Sequence, residues 1–412
     1  MNYKKLRDYI QQVNIRNKDL EVETLLGVSN TKNLIPSIAN TIGTDMSKYK
    51  ILEKRQFAYG TVTSRNGDRL SIGFLTEYEK ALVSQIYIVF EVIDETKLLP
   101  EYLMMWFSRQ EFDRYARFHS HGSTRETFDW EDMCEVELPV PSIEKQREIV
   151  AEYQAVENKI KVNEQICEKL EVTAQTLYKQ WFVDFEFPNE EGQPYKSSGG
   201  AMVFNKELEK EIPEGWEVKN LGDLLTDKGY IRGPFGSALK KDDMQKFGYP
   251  VYEQQHIIDS HRNFRYYIDD LKYNELKRFS VVYDDFVISC SGTIGKINII
   301  HENDIKGVIN QALLILRFDK EKTDLYAMYY FLTSKNGNNL LTETSSGSAQ
   351  INIGKKETIY NIRIINPSAH FRIRYNKEFK LLYKNTELFK NQNQKLSQLQ
   401  SLLLSRLATL EG

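Results

Sequence analysis

Between Pro141 and Trp181 the chain runs without a proline or glycine inside the stretch, and an apolar seam repeats along it. Ser142 is placed to cap the first free backbone N–H groups, and Glu144 faces the positive end of the helix dipole. Ile149, Val156, Asn163, Leu170 and Leu177 recur every seventh residue. Tyr153, Ile160, Cys167, Ala174 and Trp181 follow four residues behind. These are the a and d positions of a coiled coil, and such a seam is stable only against a second helix.

The partner is found by internal repetition. Lys219-Asn220-Leu221-Gly222-Asp223 echoes Lys4-Lys5-Leu6-Arg7-Asp8. Asp285-Phe286-Val287-Ile288 echoes Gln56-Phe57-Ala58-Tyr59, and Asn310 to Leu316 echoes Ser84 to Phe90. Tyr326 to Phe331 echoes Tyr102 to Phe107, and Pro367-Ser368 echoes Pro141-Ser142. An offset of about 226 residues relates the later echoes, the mark of a duplication. Carried to the first seam, it predicts a second one. Its a positions are Tyr375, Leu382, Phe389, Leu396, Leu403 and Leu410, and its d positions are Phe379, Thr386, Asn393, Gln400 and Leu407. Two helices of about forty residues are expected to pair within the chain. Asn163 and Asn393 would be buried polar groups that fix their alignment.

The remainder reads as two α+β domains. In the first, Lys5 to Ile10 is short and amphipathic, and Phe57 to Tyr59 and Ala81 to Phe90 read as strands. Pro100 to Arg117 reads as a helix with Leu103, Trp106 and Phe107 inward, and Val136 to Val140 as a last strand. The Gly/Ser/Pro-rich stretch after Phe187-Pro188 reads as a linker. The expected division is a first domain at 1–141, a helix at 142–185, a linker at 186–215, a second domain at 216–366 and a second helix at 367–412. A chain of 412 residues is ample for this, and 41% hydrophobic with 27% charged residues is ordinary for a soluble globular protein.

Composition also narrows function. Cys134, Cys167 and Cys290 stand far apart, which argues against a disulfide scaffold or a structural zinc. The opening residues lack the apolar core of a signal peptide, and no apolar run is long enough for a bilayer, so a cytoplasmic protein is expected, with no membrane partner. Ser291 to Lys296 has the wrong spacing for a phosphate loop. Asn366-Pro367-Ser368 is an incomplete adenine methyltransferase motif, and neither GxSxG nor HExxH occurs. His119/His121 and His256/His261 read as loop histidines, and Asp284-Asp285 as a turn. A non-enzyme without a bound cofactor or metal is expected. Three loops instead suit phosphates and base edges: Arg232 to Lys241, Ser289 to Lys296 and Ser345 to Asn352. A net charge of -3 supplies no overall basic field, so these loops would act locally or beside basic partners.

The sequence resembles a specificity subunit of a type I restriction-modification system. The likeness is carried by Gly233-Pro234-Phe235-Gly236-Ser237, by Ile288 to Lys296 and by Asn310-Gln311-Ala312-Leu313. Ile212-Pro213-Glu214-Gly215-Trp216 and Trp181-Phe182-Val183-Asp184-Phe185 add to it. The resemblance implies an α+β fold with two target recognition domains separated by two long antiparallel coiled-coil helices, related by an internal pseudo-two-fold repeat. It implies that each domain reads half of a split double-stranded DNA target and that the helices set the distance between the halves. Two modification subunits would dock on the chain, and restriction subunits would join through them. S-adenosylmethionine, ATP and Mg would then belong to those partners.

The DNA-contact candidates are Arg65, Arg69, His121, Arg125, Arg232, Ser237, Lys240, Lys241, Ser291, Thr293, Lys296, Gln350 and Asn352. Thr61 to Asp68 stands where the second half has its Ser-Gly-Thr-Ile-Gly-Lys loop, so the first domain departs from the family's usual phrases. The helix-pairing candidates are Ile149, Tyr153, Val156, Ile160, Leu170, Leu177, Trp181, Phe379, Leu382, Phe389, Leu396, Leu403 and Leu407. The competing reading is an adaptor that assembles an enzyme complex without touching DNA; a third is a single-chain enzyme.

Overall fold

A computed structural model describes residues 3–37, 43–64, 67, 69–122, 125–235, 238–344 and 351–409. The chain divides into two compact units, Met1–Val162 with Lys395–Gly412, and Asn163–Gln394.

The first unit contains β1 (Tyr3–Lys5), β2 (Ile10–Val13), β3 (Leu25–Val28), β4 (Leu34–Pro36), β5 (Lys50–Glu53), β6 (Phe57–Tyr59), β7 (Ile72–Phe74), β8 (Lys80–Val83) and β9 (Ile88–Val92). Helices α1 (Pro100–Phe107), α2 (Gln110–Phe118) and α3 (Trp130–Cys134) follow, then β10 (Glu137–Pro139). One sheet has the order β2-β9-β6-β7 and a second the order β4-β3-β8-β5, while β1 pairs with β10. Phe57, Tyr59, Phe90, Tyr102 and Phe107 fill the core between the first sheet and α1.

Lys5 to Ile10 is amphipathic as expected, with Leu6 and Ile10 buried and Arg7 and Asp8 exposed, and it comprises the end of β1, a 3-10 turn and the start of β2. Two local expectations change. Ala81 to Phe90 is two strands in different sheets, because the chain turns at Ser84, whose carbonyl accepts from the Tyr87 N–H at 3.1 Å. Pro100 to Arg117 is two helices, because Arg109 is extended (φ -75°, ψ 143°) and restarts the chain as the N-cap of α2. Leu103, Trp106 and Phe107 are buried, as their spacing predicts.

The second unit repeats this order. Hairpin β11 (Met202–Asn205) and β12 (Lys210–Pro213) precedes β13 (Glu217–Asn220), β14 (Leu225–Arg232) and β15 (Tyr249–Tyr252). Then come α5 (Gln254–Ile258), β16 (Tyr267–Ile268), α6 (Asp270–Glu275), β17 (Phe286–Ser289), β18 (Ile297–Ile299), β19 (Val308–Ile309) and β20 (Leu313–Phe318). The unit continues with α7 (Leu325–Thr333), α8 (Lys335–Leu341), β21 (Thr342–Thr344), β22 (Ile351–Ile353), α9 (Lys356–Tyr360) and β23 (Arg363–Asn366). Its main sheet, β14-β20-β17-β18, matches β2-β9-β6-β7 strand for strand, and β13 pairs with β23 as β1 does with β10. The echoed residues take the same cross-strand places: Phe57 faces Phe90, and Phe286 faces Leu316.

A polar pair next to these strands is duplicated with different chemistry. Gln56 Nε2 donates to Glu91 Oε2 at 2.8 Å, and its Oε1 accepts from the Glu53 N–H. In the second unit the Asp285 carboxylate accepts two hydrogen bonds from Arg317, at 2.6 and 2.8 Å, and one from the Val282 N–H. The chain does turn at Tyr283-Asp284, with the Asp285 N–H donating to the Val282 carbonyl at 3.1 Å, and Asp285 itself is fully buried and paired with Arg317.

The stretch 186–215 is folded rather than a free linker. Phe187 stacks on Trp216 (centroids 5.1 Å apart, 13° between planes), and Ile212 of β12 is buried in the same core. Trp181, Phe182 and Phe185 join them, which accounts for the apolar Trp-Phe-Val-Asp-Phe phrase.

Helix α4 spans Ile143–Tyr178 and ends in a π-helical turn, Lys179–Val183; α10 spans Ala369–Arg406 and ends in a 3-10 turn, Leu407–Thr409. Both begin alike. Ser142 Oγ accepts from the Lys145 N–H and Ser368 Oγ from the Phe371 N–H, each at 3.3 Å. Gln146 Nε2 donates to the Pro141 and Lys97 carbonyls, and Arg372 donates to the Pro367 and Glu321 carbonyls. Two different side chains thus pin equivalent helix starts to their domains.

Every proposed a and d position that is described is buried or half-buried, and Leu410 lies outside the described residues. In the second unit Asn163 Nδ2 donates to Asn393 Oδ1 at 2.8 Å, Cys167 Sγ approaches the Thr386 carbonyl at 3.6 Å, and Trp181 packs on Tyr375 and Phe379. Numbers rise on one helix as they fall on the other, so the pairing there is antiparallel. In the first unit Val150 and Leu407 are buried in one core, with Ile149, Tyr153 and Leu404 at its edge.

Replacing Asn163 with Leu removes its hydrogen bond to Asn393 and should cost about 1–3 kcal/mol. Replacing both with Leu should cost less than the sum of the two single changes, because the shared hydrogen bond can be lost only once. Urea denaturation of the two single variants and the double variant checks this; strictly additive losses would show that the amides do not act as a pair.

Candidate nucleic-acid interface

The second unit gathers its candidate loops by strand register. Arg232 ends β14 opposite Leu314, and Ser289 ends β17 opposite Leu313. The Gly233-Pro234-Phe235 turn, the Cys290 to Lys296 loop and Asn310 to Ala312 therefore leave the same end of one sheet. Gly233 is confined against the Asn310 carbonyl, so a side chain there would displace the neighbouring turn. Asn310 itself serves the fold: its Oδ1 accepts from the Ala312 N–H at 3.0 Å.

The Ser289 to Lys296 loop is held from within and from outside. Ser289 Oγ donates to the Thr293 carbonyl at 2.6 Å and accepts from the Lys296 N–H at 3.0 Å. Gln254 Nε2, from α5, donates to the Ser291 carbonyl and approaches the Thr293 carbonyl at 3.4 Å. Asn338 Nδ2, from α8, donates to the Gly295 carbonyl at 2.8 Å. Gly295 has φ +79°, and a Cβ on it would lie 2.7 Å from that same amide. With its backbone committed, the loop turns the Ser291, Thr293 and Lys296 side chains outward, all exposed. Hydroxyls and an ammonium on a fixed backbone are the donors that phosphate and base edges accept.

Arg232 flanks this loop. Its guanidinium stands 5.9 Å from the Phe235 ring, and its Nη1 is buried without a hydrogen-bond partner among the described residues. Burial pushes the neighbouring Cys290 thiol up to about 11, with Arg232 drawing it the other way. Phe235 is 65% exposed, an apolar ring presented to solvent beside a cation. Lys240 and Lys241 are exposed, close to Asp242 and Asp243, on a turn that packs through Ala238 and Leu239 against the smaller sheet's core. Asn352 lies in β22, hairpinned to the strand that follows α8. Ser237 and Gln350 lie outside the described residues, as does the Asn352 side chain.

In the first unit two loops meet. Thr63 Oγ1 donates to Ser120 Oγ at 3.0 Å, and His121 and Thr127 exchange backbone hydrogen bonds at 3.0 and 2.8 Å. His121 and Arg125 are exposed on the second of these loops. Arg65, on the first, is outside the described residues. Arg69 stands apart and lines a cavity of about 480 Å³ with Lys32, Asp113, Tyr153 and Gln400. Lys32 is ion-paired to Asp113 at 2.5 Å there, and burial lowers its pKa.

Sequence reading missed Gln254 and Asn338, because their contacts span 37 and 43 residues and no local pattern records them. The exposure of Phe118 (82%), beside the His119 to Arg125 loop, was also unread. Of the paired histidines, His256 is fully buried, takes the Glu253 N–H on Nδ1 at 2.8 Å and has Nε2 3.2 Å from the Asn263 carbonyl, a structural arrangement. Among the described residues no group of three or more His, Cys, Asp or Glu is placed to hold a metal ion, and no helix is long and apolar enough to cross a membrane.

The α+β order and main-sheet topology of the first unit recur in the second, and each copy runs into a long helix. Residues 28–172 and 213–398 match the family of the type I restriction modification DNA specificity domain. The chain belongs to that family. It is 23% identical over 441 residues to the HindI specificity subunit of Haemophilus influenzae, covering 92% of this chain and 91% of that one. It is 42% identical over 139 residues to the MjaIX specificity subunit of Methanocaldococcus jannaschii, a stretch covering 32% of this chain and 29% of that protein. A crystal structure of a type I restriction-modification S subunit from M. genitalium aligns with 100% of this chain and 96% of its own, at 13% identity and a TM-score of 0.59, a likeness of fold.

If Lys296 contacts a phosphate, Lys296→Ala should lower the slope of log K against log salt by about 0.9, and Lys240→Ala with Lys241→Ala by about twice that. Filter-binding titrations over a salt series measure the slopes; an unchanged slope removes that lysine from the contact set.

Proposed function

We propose that this chain is the DNA-reading subunit of a type I restriction-modification complex, with each domain recognising one half of a split double-stranded target. The observation that carries this is the braced loop end of the second main sheet, with Ser291, Thr293 and Lys296 turned outward beside the half-buried Arg232, in a chain of the specificity family. Phosphate contacts fix register, and side chains at the loop ends read base edges. The chain itself supplies no bond-making step. S-adenosylmethionine, ATP and Mg belong to its partners, two modification subunits and the restriction subunits that join through them.

A surface on α10 suits such docking. Leu381 and Leu388, seven residues apart, are 62% and 52% exposed at positions that flank the seam, and Ile373 is 81% exposed. A stripe at heptad spacing is what a partner helix packs against. Leu381→Glu with Leu388→Glu should abolish co-purification of the modification subunits while leaving the chain's thermal midpoint unchanged. Undiminished co-purification would place docking elsewhere.

Methylation mapping of host DNA with and without this gene tests the whole reading. Loss of adenine marks at one split motif is expected. An unchanged methylome would favour the adaptor that assembles an enzyme without reading DNA.

A further inference from the structure

The second domain carries a polar chain that links helix α10 to its reading loop. Gln394 Nε2, on the helix, donates to the Ser260 carbonyl at 2.6 Å. Ser260 Oγ accepts from Asn298 Nδ2 at 2.7 Å, and Asn298 Oδ1 accepts from Arg262 Nη2 at 3.0 Å. Arg262 grips Asp304 with two further bonds, at 2.8 and 2.9 Å, and donates to the His256 carbonyl at 3.2 Å. His256 belongs to α5, the short helix whose Gln254 holds the Ser291 and Thr293 carbonyls. A second tie runs beside the first: His301 Nε2 lies 3.5 Å from Glu387 Oε2 on α10, and the His301 N–H donates to Asp304 Oδ2 at 2.8 Å.

These groups are too well placed for ordinary surface contacts. Asn298 is 2% and His256 0% exposed, and Ser260 is held at φ 51°, a conformation costly for a serine. Buried hydrogen bonds of this kind add direction where apolar packing alone would permit sliding. Phe379 and Tyr383 of α10 are buried in the domain's apolar core alongside this polar chain.

We infer that Gln394, Ser260, Asn298 and Arg262 are positioning residues for DNA readout, which fix the angle of the Ser289 to Lys296 loop about helix α10 and so the spacer length the complex accepts. This rests on the DNA-reading role proposed above. None of the four touches the bases in this account; they act through Gln254 and the loop backbone.

The test uses the full complex with its modification subunits. Its DNA probes carry the mapped split motif, with the spacer unchanged or altered by one base pair in either direction. Gln394→Glu keeps the side chain's size and removes its donor. Preference for the natural spacer should fall roughly five- to tenfold, the effect of one directed hydrogen bond. Base preference within each half and the salt slope should stay as in the wild type. Gln394→Lys, which keeps a donor, should retain more of the preference. Ser260→Gly, which tolerates the backbone angle and removes the hydroxyl with its CH2, should act like Gln394→Glu and guards against misfolding as the cause. An unchanged spacer preference in both Gln394→Glu and Ser260→Gly overturns the inference, as does a uniform loss of affinity at every spacer. A wild-type complex with no sequence preference at all would overturn the DNA-reading role as well, and is thereby distinguished.

Discussion

Everything in this chain depends on a seam that no single helix can satisfy. Each long helix is polar over most of its surface and carries an apolar seam along its length, so it is stable only when another seam covers it. A seam made wholly of apolar residues can slip by a heptad at small cost, because one leucine contact resembles the next. The Asn163–Asn393 hydrogen bond removes that freedom. Any slip would break this hydrogen bond in a half-buried seam, at a cost of about 1–3 kcal/mol. One polar contact thus converts adhesive packing into a defined alignment.

Duplication supplied both stripes, and the two copies keep topology more faithfully than chemistry. The main sheets agree strand for strand, and the helix starts are capped by serines at equivalent places. Yet the side chain that ties each helix start to its domain is Gln146 in one copy and Arg372 in the other. Both reach the same two kinds of carbonyl. What is preserved is the need to satisfy the carbonyls at a buried helix start, and either an amide or a guanidinium meets it.

The helices and the repeat were legible because they are periodic, and periodicity is local information. Seam positions from Ile149 to Trp181 and from Tyr375 to Leu407 needed only counting. Short-range punctuation was harder. Nothing in Ala81 to Phe90 announces that the chain changes sheets at Ser84, and the Gly/Ser/Pro content of 186–215 hid aromatic anchors at Phe187 and Tyr195. The candidate site was legible as loops but not as an arrangement. Ser291, Thr293 and Lys296 were readable as contact types. That Gln254 and Asn338 brace them is set by tertiary packing. Asp285 shows the same limit: the turn before the strand was legible, but the burial of Asp285 against Arg317 was not.

That buried pair bears on how such a chain can diverge. Gln56 with Glu91 and Asp285 with Arg317 occupy equivalent places, so each copy has settled its own charge balance. A hybrid that took one strand from each copy would set Asp285 against Glu91, two carboxylates with no cation, or Gln56 against Arg317, a guanidinium with no anion. Either mismatch falls at the buried end of a half-exposed pair, where an unmatched charge is costly. Recombination between the halves is therefore constrained to exchange whole domains, with crossovers falling in the helices, where the two copies share a common register.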